Sequence, residues 1–197
     1  MKTHLIATAA TLLLYSAAAL AQSPAAMPTS FVEGERWEAR ITFTPDIGAP
    51  AAPSRTVIKA DGGLRFQNHR GNVYPLNVPY ETGPFFNTKS LNAWRQWPLE
   101  VGKTWTFEGE FNPSGGVARV RQTATVVALE DVTVPAGTFK AFKITYIGTA
   151  TAGGQTWHRN ETFWYAPNVK ADVKALIDTP AHQGSMELTA YKPASGN

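Results

Sequence analysis

Wherever this chain is regular, its apolar residues recur with a period of two. Over Arg36–Thr44, Trp37, Ala39, Ile41 and Phe43 fall on one side and Arg36, Glu38, Arg40 and Thr42 on the other, which predicts a strand with one wet face. Residues 55–60 and 64–68 read as a hairpin joined by Asp61-Gly62-Gly63, with Leu64 and Phe66 on one side. A turn at Arg70-Gly71-Asn72 leads to a strand at 73–78. Thr104–Phe111 places Trp105, Phe107 and Phe111 on the face of Gly109. The strand at 117–129 slips phase near Val126-Val127, where a bulge is expected. Further strands follow at 139–150, 155–165 after a Gly153-Gly154 turn, 169–178 and 186–191. In 169–178, Val169, Ala171, Val173, Ala175 and Ile177 alternate with Lys170, Asp172 and Lys174. Residues 90–97 have the length for two turns of helix. About ten short antiparallel strands with at most one short helix predict an all-β meander, folded as a curved sheet or partly open β-barrel.

The stretch 131–167 organises the rest. Val134-Pro135-Ala136-Gly137-Thr138-Phe139 makes a tight corner: Pro135 fixes φ and donates no amide, and Gly137 is free to take positive φ. Beyond it Phe142, Ile144 and Tyr146 share a face, and Phe139 is expected to be buried.

The N-terminus reads as an export signal. Lys2 supplies the positive end, residues 5–20 the apolar stretch and Ala19-Leu20-Ala21 the cleavage site, with the cut after Ala21. Of 197 residues, less those 21, 176 remain, which suits one domain. The expected division is a signal peptide at 1–21, a disordered leader at 22–30, a single β domain at 31–193 and a tail at 194–197. There is no Cys to carry a lipid, a disulfide or a thiolate ligand. Loss of Lys2 with the signal lowers the formal charge from +3 to +2, too little to imply nucleic acid. No later stretch reaches the ~20 apolar residues of a membrane helix. A periplasmic or secreted location is therefore expected.

Pro98-Leu99-Glu100-Val101-Gly102-Lys103-Thr104-Trp105, the corner motif, Trp164-Tyr165-Ala166-Pro167 and Glu187-Leu188-Thr189 together resemble a family of exported bacterial β-proteins of unknown function, of the type that includes TapB-like proteins. The resemblance spans about residues 98–191 and implies a partly open antiparallel barrel in the cell envelope, with no catalytic residues. Where that family commonly has Gly-Val after the Trp-Tyr-Ala-Pro run, this chain has Asn168 and Val169, and Asn tolerates the same left-handed turn.

The candidate chemistry is sparse. His69, His158 and His182 stand at no metal-ligand spacing, so neither a metal nor any other cofactor is expected. His158, Asn160 and Thr162 share one strand face, and a lone histidine there reads as a surface residue by default. Ser185 with His182 is the remaining hydrolase pairing, but Gly184-Ser185-Met186 lacks the second glycine of a nucleophile elbow. Arg159 and Glu161 are a same-face pair whose direction the phase leaves open: Trp157, Phe163 and Tyr165 agree with it and Trp164 opposes it. The aromatics are more suggestive. Trp105, Phe107, Tyr146, Trp157 and Phe163 would line the interior, either as packed core or as a ligand surface. The leading expectation is a non-enzymatic binding or scaffold protein with a hydrophobic interior, its partner a hydrophobic small molecule or an envelope protein. The alternative is an assembly protein docking through 79–97, with Trp94 and Trp97 as exposed anchors.

Overall fold

The structure, a computed structural model, describes residues 25–26, 30–46, 52–76, 94–111 and 116–194, and the backbone of 88–90. Its strands are β1 (Ala25–Ala26), β2 (Arg36–Thr44), β3 (Ser54–Ala60), β4 (Gly63–Asn68), β5 (Val73–Pro75), β6 (Thr88–Ser90), β7 (Leu99–Glu100), β8 (Thr104–Phe111), β9 (Ala118–Val134), β10 (Gly137–Ala152), β11 (Gln155–Ala166), β12 (Ala171–Asp178) and β13 (Gln183–Lys192). Eleven form one antiparallel sheet in the order β5-β4-β3-β2-β13-β12-β11-β10-β9-β8-β6, while β1 pairs with β7 apart from it. Two meanders are thus joined where β2 pairs with β13, and the sheet ends on β5 and β6 without closing into a barrel. The signal segment lies outside the described residues. Ala25–Ala26, inside the expected leader, are instead paired with Leu99–Glu100, and the small Ala26 side chain is buried in the core.

Dipeptide turns set the local register. Asp61 and Gly62 both take positive φ (49° and 75°), as do Gly153 and Gly154 (57° and 79°). Each pair makes the two-residue hairpin loop whose twist matches the flanking strands. At the corner, Gly137 pairs with Val134 and has φ 132°, a region that disfavours a Cβ, although the Cβ itself would meet only the Phe139 ring at 3.7 Å. The cost of a side chain there is therefore backbone strain and not a clash. Gly137→Val is expected to lower stability by about 1–3 kcal/mol, read as a drop in melting temperature. At Gly148 the reason differs: an ideal Cβ would lie 2.1 Å from the Arg121 carbonyl oxygen, so neighbouring backbones approach too closely there for any side chain.

The bulge foreseen near Val126-Val127 is present. Ile144 pairs with Val126 and Lys143 with Ala128, leaving Val127 as the extra residue. Ala124 and Val126 before it belong to one core cluster with Phe142, Ile144 and Tyr146, whereas Val132 and Val134 after it belong to a second with Phe139 and Ala141. A single β9–β10 ribbon therefore feeds both faces of the sheet. The second cluster also draws in Trp37, Val57 and Phe66 from β2–β4, where the Trp37 indole donates to the Val169 carbonyl at 2.6 Å.

Three local expectations are corrected. Ser90, the first residue of the segment read as helical, ends a strand, Thr88–Ser90, paired to β8; residues 91–93 lie outside the described residues, and no helix occurs among those described. Pro98 disfavours helix in the residue before it, and the Trp94 carbonyl is taken by side chains instead of by an i+4 amide. In the turn at 167–170 the left-handed residue is Lys170 (φ 55°), not Asn168, and its ammonium is anchored on Glu35 at 2.7 Å. Asp172, expected on a wet face, is buried. Tyr165 pairs with Asp172 and Trp164 with Lys174, so Val173 is the extra residue of a second bulge, which turns Asp172 inward.

Candidate functional site

The inner face of β8–β11 carries a cage of rings. Strand alternation puts Trp105 and Phe107 of β8, Tyr146 of β10 and Phe163 of β11 on that face, and the pairings Trp105 to Ala124 and Ala124 to Tyr146 bring the first and third into one row. The space between them is occupied by a side chain from outside the sheet. The Trp94 indole stacks on Tyr146 at 4.0 Å and 4° and meets Phe107 and Phe163 edge-on at 4.6 and 5.1 Å. Its carbonyl accepts from the Tyr146 hydroxyl at 2.9 Å and from the Trp105 indole at 3.2 Å. Trp157, the fifth residue expected there, is half-buried at the edge of the same cluster.

The segment 94–97 therefore lies across the inner face as a strap. Trp94 is 6% exposed, and Trp97 is half-buried with its ring 5.3 Å from that of Tyr165, so the expectation of two exposed anchors is corrected. Both rings are drawn inward because the cage offers apolar area and the sheet offers two donors to one strap carbonyl. Between them Arg95 enters the interior and binds Asp172 at 2.8 Å, its guanidinium 4.8 Å over the Tyr165 ring. Burial pushes the Asp172 carboxyl above its ordinary value, against the pull of Arg95. Burial acts to lower the Arg95 value, but Asp172, Tyr146 and Tyr165 outweigh it and the net shift is upward.

A second buried group lies on the same face. Arg159 pairs with Glu161, both inward, which settles the direction that the phase left open. The Gln122 amide donates to the Arg159 carbonyl at 2.9 Å and to Glu161 at 3.1 Å, and the Arg159 guanidinium covers the Phe111 ring at 4.7 Å. Buried polar groups are normally partnered, yet the Trp94 indole N–H, Gln122 Oε1 and Asp172 Oδ2 find no hydrogen-bond partner among the described residues. Arg95, Gln122 and Asp172 were not singled out in the sequence. Arg95 lay in a presumed helix and Asp172 on a presumed wet face, while Gln122 sits at an inward position of the 117–129 alternation and was the one a strict reading would have found.

Tyr146 and Tyr191 give the fold a pH dependence. Burial pushes the Tyr146 hydroxyl well above its ordinary value, and burial together with the hydrogen bond to Glu35 pushes Tyr191 up to about 12. A group whose folded value is raised contributes stability that is fully present below the unfolded value, ~10 for Tyr, and is lost as pH rises through the folded one. Tyrosinate absorbance from these two residues is expected to appear together with alkaline unfolding. Complete titration of every tyrosine near pH 10 with native circular dichroism would contradict it.

The hydrolase pairing is not assembled. The Ser185 hydroxyl lies 2.6 Å from that of Thr42 on the outer face, while the His182 ring packs edge-on to Phe43, whose ring joins the inner cluster. Burial, with Arg159 nearby, lowers the His182 value. His158 stands 3.6 Å from Asp178, both exposed. No group of three metal-ligating side chains occurs among the described residues, and no helix among them is long and apolar enough to cross a membrane.

A family model described as DUF3108-like matches residues 119–175, which contain the corner and the Trp-Tyr-Ala-Pro run. The resemblance to a family of unknown function thus holds over β9–β12. No curated protein matches the chain. Among solved structures, one from Bacteroides fragilis, described as an exported protein with a YmcC-like fold, is 15% identical, with 85% of this chain and 99% of that one covered and a TM-score of 0.55. The lipoprotein YmcC of Escherichia coli is 12% identical over 84% and 87% with a TM-score of 0.48, and a lipoprotein of Parabacteroides distasonis 15% over 82% and 96% with 0.42. The first of these likenesses establishes a shared YmcC-like fold.

Proposed function

We propose that this is an exported envelope protein that binds a hydrophobic small molecule on the inner face of its sheet, without catalysis, and that the 94–97 strap fills the site when it is empty. Export rests on the signal-like N-terminus. The observation that carries the binding reading is the cage itself: Trp105, Phe107, Tyr146 and Phe163 project from the rigid sheet, but the ring they enclose belongs to a separate segment. The Trp94 indole N–H finds no acceptor among the described residues, so its seating is less than fully satisfied. An apolar ligand of comparable size would displace it at modest cost, since apolar cavities of about ring volume take up aromatic guests readily. The docking alternative through 79–97 is less favoured, because Trp94 points inward.

Displacement of an apolar fluorescent probe tests the reading. Trp94→Ala is expected to raise probe uptake about tenfold or more by removing the competing ring, and Phe163→Trp, which narrows the cage, to reduce it. Equal uptake by the parent chain and both variants, with melting curves showing all three folded, would overturn it.

A further inference from the structure

The other face of the sheet is built on a different plan. Across β2, β13, β12, β11, β10 and β9 one row of outward side chains reads Thr42, Ser185, Leu176, Thr162, Thr145, Thr125. The next reads Thr44, Gln183, Asp178, Asn160, Ile147, Thr123. Both continue onto β8, at Thr104 and Thr106. Asp178 is the one ionisable group in this band. Charged rows flank it on either side: Arg40, Glu187, Lys174 and Lys143 along one border, and Glu108, Arg121 and His158 along the other. Much of that border charge is neutralised in pairs, Arg40 with Glu187 at 2.9 Å and Arg121 with Glu108 at 3.0 Å. Threonine suits an exposed strand through its β-propensity, but propensity alone does not sort charge out of two adjacent rows and into their borders.

At the β2–β11 end the band sinks into a depression of about 440 Å³, within the size range of small-molecule sites. Thr42, Thr162, Asn160, Gln183 and Ser185 line it together with the Asp178 carboxylate, which faces His158 at 3.6 Å, and Leu176, 42% exposed, forms its apolar spot. The Asn160 and Gln183 amides have no partner among the described residues, and each offers a donor and an acceptor from one plane. Each Thr adds a hydroxyl beside a methyl. A ligand complementary to this surface carries many hydroxyls that both donate and accept, some of them donating to the Asp178 carboxylate, has C–H faces between them, and bears no anionic group. That is the chemistry of a neutral saccharide. Strands ~4.8 Å apart hold the side chains in a fixed array, which lowers the ordering cost of a weak, extended contact.

We propose that the outer face of β8–β13 and β2 is a binding surface for a neutral oligosaccharide, seated in the Asn160–Gln183 depression and extending along the threonine rows. The surface is opposite the aromatic cage and independent of it.

Titration calorimetry with cellohexaose, maltohexaose and chitohexaose, and with an oligogalacturonate as the anionic comparison, tests this on the mature chain. Saturable binding of at least one neutral sugar is expected, and it should weaken about tenfold or more in Asn160→Ala/Gln183→Ala, the order expected for lost hydrogen bonds. Leu176→Lys, which puts a charge into the band, should weaken it as well. Both variants should retain the parent melting temperature and parent uptake of the apolar probe, and Trp94→Ala should leave sugar binding unchanged. Failure to bind any of the three neutral sugars, preference for the anionic one, or affinity indifferent to the outer-face variants would each overturn the proposal. None of these outcomes bears on the inner cage.

Discussion

Asp172→Ala is expected to lower the stability of the domain by about 3–5 kcal/mol, the largest effect of any single polar substitution in the chain. The carboxylate is buried under the strap and paired with Arg95 at 2.8 Å, with both side chains at 6% exposure or less. Removing it takes the counter-charge from a buried guanidinium, and losing one partner of a buried ion pair is far more costly than the pair itself. The paired double variant Arg95→Leu/Asp172→Leu should recover most of the loss, because an apolar pair of similar size carries no desolvation penalty. Urea melts of the two variants decide it. A single variant as stable as the parent would mean that Arg95 leaves the interior freely, and a double variant no better than the single would place the cost in packing and not in charge.

Phe139→Ala should cost a comparable amount, about 3–5 kcal/mol. The ring sits just beyond the corner, buried in the second cluster with Val132, Val134 and Ala141, and lies against the Gly137 backbone. Ala136 adjoining it donates its amide to the Leu188 carbonyl of β13, so the corner of β9 and β10 is tied to a strand that is not its neighbour in the sheet. Loss of the ring opens a cavity between those elements that cannot collapse without moving the corner. Thermal melts should show an undiminished single transition at lower temperature, and an unchanged melting temperature would remove the corner from its organising role.

What the sequence disclosed was what is local. Period-two alternation located Arg36–Thr44 and Thr104–Phe111 to the residue, because a one-residue slip would have inverted every side chain. Asp61-Gly62 and Gly153-Gly154 announced their hairpins because few other residue pairs accept positive φ in succession. Even the Val127 bulge could be read, since two adjacent valines break the phase. The pairing of β2 with β13 could not, because neither strand encodes its partner. Asp172 was misplaced for a related reason: the bulge at Val173 leaves the apolar alternation of the sequence intact while rotating one residue to the other face. The inward turn of Trp94 was hidden as well, as its cause is a cage assembled from β8, β10 and β11. The site was thus half legible: its wall of rings came from periodicity, and its strap and ion pair only from the assembled sheet.

The claim that the inner face is a ligand site closed by its own strap is tested most directly by native mass spectrometry of the protein purified from its own host, followed by organic extraction. A mass exceeding that of the mature chain, with an apolar compound released on extraction and lost in a Phe163→Trp variant, is the predicted result. Host-derived protein that is uniformly ligand-free, and that yields nothing apolar on extraction, would contradict it and leave Trp94 as ordinary core.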